Sequence, residues 1–128
     1  MPTSRSDKPF SQEAIALTEA TIRAADKLGV SQKALATIIG LSESVISRMR
    51  RGTFALERGH GKGFELAEFF VQLYVLLDAT VLGSEAAAKA WMRDENQALG
   101  SGRPIDLIQT VRGLVEVVGY LRARSSSL

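Results

Sequence analysis

The sequence predicts an all-α fold: an N-terminal helix-turn-helix bundle followed by a small helical domain. Three observations carry this expectation. Helix-start and helix-stop residues recur, with Ser ahead of apolar-periodic runs and Gly behind them. No segment sustains the strict apolar/polar alternation of a half-buried strand. The 128 residues, 45% hydrophobic and 23% charged, suit one compact unit or two very small ones and exclude a large multidomain enzyme.

Taken in order, residues 1–10 read as a polar tail without the apolar stretch of a signal peptide. Ser11 is placed to cap a helix through Leu28, with Ile15, Ile22 and Leu28 near one face and Gly29 as its stop. Ser31 caps a short helix ending at Gly40, and Ser42 caps another ending at Gly52. These residues, 11–57, form the expected helix-turn-helix unit. A connector, 58–63, is too rich in Gly to be other than loop. From Phe64 to Leu82 the polar residues Glu65, Glu68 and Gln72 leave a narrow wet stripe on an apolar helix, the expected centre of a second unit over 64–124. Gly83 and Ser84 end it and cap a helix whose apolar face is expected from Ala86, Ala87, Ala90 and Trp91. After a turn over Asn96–Gly102, Pro104 opens a short helix reaching about Gln109. Leu114, Val117, Val118 and Leu121 recur at helical spacing, and 125–128 reads as a frayed tail.

Charge divides along the same line. The chain carries +2 overall, but residues 1–62 sum to +4 and residues 63–128 to −2. An anionic partner therefore suits the first half. The chain has no Cys, which excludes disulfides, thiolate metal sites and cysteine nucleophiles, and favours the cytoplasm. The longest unbroken apolar run in the Phe64–Leu82 segment, Leu73 to Leu77, is too short to cross a bilayer, so no membrane partner is expected.

Gln32 to Gly52 has the anatomy of a helix-turn-helix. Ala36 is small where two helices cross, Gly40 can take the positive φ that the turn requires, and Leu41, Ile46 and Met49 point into the shared core. The opposite face of the second helix then presents Ser44, Ser47, Arg48 and Arg51 at i, i+3, i+4 and i+7. Arg48 suits a bidentate contact to a guanine edge, the serines suit base or phosphate, and Lys33, Arg50 and Arg51 lie where phosphates would pass. Ser42 and Glu43 stand at the N-terminus of this helix. Glu43 either accepts from a cytosine amino group or complements the helix dipole. A helical hairpin with a merely solvated basic face satisfies the same pattern.

In these residues the chain resembles Xre-type helix-turn-helix proteins, and Leu73 to Gly113 resembles the toxin-binding domain of Xre/MbcA/ParS-type antitoxins. The ordered set Gly83, Trp91, Asn96, Leu99, Gly100, Pro104, Gly113 and Leu121 carries the second likeness. The resemblance implies a type II antitoxin that neutralises a cognate toxin and represses its own operon by binding operator DNA. It also implies that the partner is a RES-domain toxin acting on NAD, with that chemistry belonging to the toxin and no cofactor bound by this chain. Toxin contacts are expected from Trp91, Asn96, Arg103, Arg122, Arg124 and Leu128, with the terminal tail as a plug. Trp91 equally fits a core position, and the tail equally fits plain fraying. A homodimer is expected because two-fold operators are matched by two-fold dimers, and a hetero-oligomer with the toxin follows.

Other chemistry finds little support. Gly59-His60-Gly61-Lys62-Gly63 matches neither phosphate-loop spacing nor a dinucleotide fingerprint and reads as a hinge. His60 is the sole His, so no metal site is expected. An enzyme is the least supported class. The alternative kept is a stand-alone Xre-family regulator whose C-terminal half dimerises or senses a ligand.

Overall fold

The computed structural model describes residues 10–126. Leu128 and all but the last residue of the expected N-terminal tail lie outside the described residues. Within them are seven α-helices: α1 (Gln12–Leu28), α2 (Gln32–Ile39), α3 (Glu43–Arg51), α4 (Gly63–Thr80), α5 (Glu85–Arg93), α6 (Pro104–Leu107) and α7 (Val111–Ser126). A single 3₁₀ turn, Gln97–Leu99, lies between α5 and α6.

The helix ends follow from local chemistry. The hydroxyls of Ser11, Ser31, Ser42 and Ser84 each accept a hydrogen bond from the backbone N–H three residues on, at 3.0–3.2 Å. Each satisfies a donor that the first helical turn leaves unpaired. At the other end Gly40 takes φ 73°, which lets the Leu41 N–H bond back to the Ala36 carbonyl at 2.9 Å. That left-handed residue makes the sharp turn between α2 and α3.

Five expectations are corrected. The core row of α1 is Ala14, Thr18, Thr21, Ala24, Ala25 and Leu28, with Ile15 and Ile22 half-buried at its edge. Small residues let α1 pack closely against α4, and the Thr21 hydroxyl is satisfied by donating to the Leu17 carbonyl at 2.7 Å. The inward face of α5 is Ala88 and Met92, one turn apart, whereas Ala86 and Ala87 are exposed. The central helix stops at Thr80 because Leu82 and Gly83 both turn left-handed, and α6 stops at Leu107. Finally, α7 continues through Ser126, so Arg122 and Arg124 stand on a helix and residues 125 and 126 belong to it.

α4 is the centre of the fold, packed on α1, α2, α5 and α7. Its stripe of Glu65, Glu68 and Gln72 is exposed, while Phe64, Ala67, Phe70, Leu73 and Leu77 are buried. One apolar cluster runs from Leu35, Ile39 and Ile46 through Phe70 and Leu77 to Met92, Leu114 and Leu121. Buried side chains from both sides of the Gly-rich connector thus share one core. α7 meets α6 at Gly113, where a Cβ would run into the Leu107 carbonyl. Only glycine allows that approach.

Candidate nucleic-acid and partner interfaces

α3 lies across α1 and α2 with Ile46 and Met49 buried. Ser44, Arg48 and Arg51 are exposed on its outer side and Ser47 is half-buried among them. Both long side chains are held. The Arg51 guanidinium donates to the Ser47 hydroxyl at 2.7 Å. The Arg48 guanidinium stands over the Phe54 ring, 5.7 Å from its centroid. A hydroxyl and an aromatic face fix these arginines without neutralising them.

The other bases near the motif are differently engaged. Arg50 lies about 120° around α3 from its outer face and forms a two-pronged pair with Asp26 of α1, both contacts 3.1 Å. Arg58 pairs with Glu13 and stacks on Phe64, 4.4 Å from the ring centroid. The hydrogen bond from Arg58, and then its charge, hold the Glu13 carboxyl below its usual range. Glu13 in turn raises the Arg58 guanidinium, again by the hydrogen bond first. Lys62 lies 3.7 Å from Glu65. The basic excess between Ser44 and Lys62 is therefore partly met by acids, Asp26 and Glu13 from the distant α1 and Glu65 from the adjoining turn.

Lys33 is exposed on the first turn of α2. The Ser42 hydroxyl is occupied as the α3 cap. Glu43 is exposed beside it, and its carbonyl accepts from the Gln32 amide at 3.3 Å, tying the start of α2 to the start of α3. Asp26 and Phe54 had no local signal, because each joins the motif only through tertiary packing.

Of the expected partner-binding residues, Trp91 is half-buried and rests on the core. The Asn96 side chain caps the 3₁₀ turn by accepting from the Ala98 N–H at 3.0 Å, and its own N–H donates to the Gly102 carbonyl. Arg103 stands just past that bridge, 3.9 Å from Glu95. Arg122 donates to Gln72 of α4 at 2.6 Å, and Arg124 donates to the Tyr120 hydroxyl at 3.3 Å. The set thus divides between the Asn96–Gly102 turn, α5 and the last turns of α7, with Leu128 outside the described residues. Among the described residues, no three His, Cys, Asp or Glu side chains gather to hold a metal. Nor is any single helix among them long and apolar enough to cross a membrane.

The structure thus presents a helix-turn-helix with two held arginines on its outer face, packed onto a second helical region. Residues 10–72 match the antitoxin Xre-like helix-turn-helix domain. Residues 77–126 match the antitoxin Xre/MbcA/ParS C-terminal toxin-binding domain. The chain belongs to the Xre/MbcA/ParS-type antitoxin family. Over 43 residues, 34% of this chain, it is also 44% identical to 6-hydroxy-3-succinoylpyridine 3-monooxygenase HspA of Pseudomonas putida (strain DSM 28022 / S16). That stretch spans 14% of the monooxygenase's length, too small a share to argue for oxygenase chemistry here. Antitoxins and helix-turn-helix regulators are typically non-enzymatic.

Proposed function

We propose that this chain is the antitoxin of a type II toxin-antitoxin module acting in the cytoplasm. It neutralises a RES-domain, NAD-degrading toxin and represses its own operon. Residues 11–57 carry the DNA role, residues 64–124 carry the toxin and dimer role, and the connector 58–63 joins them.

The observation that carries the DNA reading is the outer face of α3, where Arg48 and Arg51 are exposed and fixed in place. Seated in a major groove, that face puts Arg48 at a guanine edge and Arg51 at a phosphate, with Ser44 and Ser47 beside them. Lys33 adds a phosphate contact, and the capped N-terminus of α3 at Ser42 and Glu43 approaches the backbone. One such helix reads few base pairs, so the operator-binding species is a homodimer with half-sites about 34–36 Å apart.

Co-expression with the product of the adjacent gene tests the toxin reading. A complex that survives purification and restores growth supports it. A lone dimer without rescue leaves a stand-alone regulator. Gel shifts with the chain's own promoter across a salt series test the DNA reading, because phosphate contacts give a steep salt slope.

A further inference from the structure

α4 ends in a hydrogen-bond pattern with a specific demand on one residue. The Gly83 N–H reaches back to the Asp78 carbonyl at 2.9 Å and the Leu82 N–H to the Ala79 carbonyl at 3.2 Å. This is the Schellman closure, in which the first residue past the cap turns left-handed and is usually Gly. The chain obeys that preference elsewhere. Gly29 closes α1 and Gly52 closes α3 by the same paired bonds, at φ 70° and 82°. In α4 the position holds Leu82, at φ 54°, although a glycine stands next to it.

Leu82 gains nothing from burial in return. The residue is 92% exposed, well beyond Val75 at 58% and Val111 at 60%. A single exposed leucine is ordinary on a protein surface. A leucine held in a conformation that suits glycine, and turned wholly to water, is not. Such local strain is held by the surrounding structure, here the paired closing bonds, and tends to cluster at functional sites.

We infer that Leu82, at the α4–α5 turn, is an apolar anchor of the toxin interface, seated in a pocket of the toxin when the two proteins meet. The occupant follows from position. Leu82 lies within residues 77–126, which match a toxin-binding domain, as do the exposed Val111 and Val115 one turn apart on α7. The side chains expected from sequence to meet the toxin are largely engaged inside the chain: Asn96 caps a turn, Arg122 holds Gln72 and Trp91 rests on the core. Leu82 is exposed on a turn already fixed by backbone bonds, so seating it against a partner requires little further ordering of the chain. The inference rests on the antitoxin reading above.

The test uses the full-length chain, its Leu82→Gly and Leu82→Asn variants, and the protein encoded beside it as the probe. Both replacements fit a left-handed residue and remove the apolar side chain. The expected result is a raised Tm for free Leu82→Gly together with a loss of affinity for the probe of about tenfold or more in both variants. A wild-type chain that fails to bind the probe sinks the antitoxin reading itself. Wild-type binding with unchanged affinity in both variants overturns the role of Leu82 alone. A lowered Tm in Leu82→Gly also overturns it, since Leu82 would then be packing within the free chain. So does a change in the mass of the free protein, which would make the occupant a second copy.

Discussion

Arg50 of α3 and Asp26 of α1 face each other through two guanidinium-to-carboxylate hydrogen bonds, each 3.1 Å long. The pair lies off the outer face of α3, and its geometry directs Arg50 toward α1. Its energetic value is small, because both side chains are about half exposed and exposed pairs contribute roughly 0–1 kcal/mol. It leads to an expected division of labour among adjacent arginines. Replacing Arg51 with Gln is expected to lower the salt slope of operator binding by about one, and replacing Arg50 with Gln to leave it nearly unchanged. An equal drop in slope for both variants would show that Arg50 leaves Asp26 on binding, and no drop in either would remove Arg51 from the phosphate contacts.

Arg48 is expected to carry discrimination rather than general affinity. Arg48→Ala should cost about 1–3 kcal/mol between the operator and a mutated site, with toxin binding retained. Competition gel shifts measure the ratio. Loss of toxin neutralisation with intact DNA binding would reverse the assigned roles of the two halves.

The starts of α1, α2, α3 and α5 were legible in the sequence because a cap is a contact within four residues. Ser11, Ser31, Ser42 and Ser84 announce their own hydrogen bonds. The outer face of α3 was legible for the same reason, once Ile46 and Met49 were assigned inward. Arg50 meets Asp26 across 24 residues, and Leu56 meets Thr18 across 38. No period encodes such pairs, since they depend on how helices cross. The inward row of α1 was missed because it is built from Ala and Thr, whose burial follows from close helix approach rather than from hydrophobicity. Leu82 was read as the end of the central helix, and only its backbone angle sets it apart.

Gly113 should tolerate no side chain. A Cβ there would enter the Leu107 carbonyl, and the neighbour is backbone that cannot swing aside. Gly113→Ala is expected to destabilise by about 1–3 kcal/mol or more, through overpacking between α6 and α7. Thermal unfolding measures it, and an unchanged Tm would contradict the close approach.

Glu85 links α5 to α1. Hydrogen bonds from Lys89 and then Lys27, with their charges, hold its carboxyl below the ordinary 4.5. A lowered carboxylate contributes stability above its unfolded value and loses it as pH falls through the folded one. The contribution is therefore present at neutral pH and disappears below 4.5. It is small, because the Glu85 side chain is 46% exposed. Wild type should melt slightly above Glu85→Gln near neutrality at low salt, with the gap closing toward about pH 3. A gap that widens on acidification would show that the lysines do not stabilise the carboxylate.

Thr18 connects the core to the outer face of α3. Its hydroxyl accepts the buried Leu56 N–H at 2.8 Å and so pins the strand of chain that leaves α3. Two residues earlier in that segment is Phe54, the ring beneath Arg48. Thr18→Val keeps the shape but leaves a buried N–H without its acceptor, a loss of about 1–3 kcal/mol. Thr18→Ser keeps the acceptor and should lose less. If Phe54 positions Arg48, operator discrimination should fall with stability in the Val variant and recover in the Ser variant, while toxin binding stays constant in both. Discrimination unchanged in a measurably destabilised Thr18→Val protein would show that Arg48 finds its place without the segment that Thr18 holds.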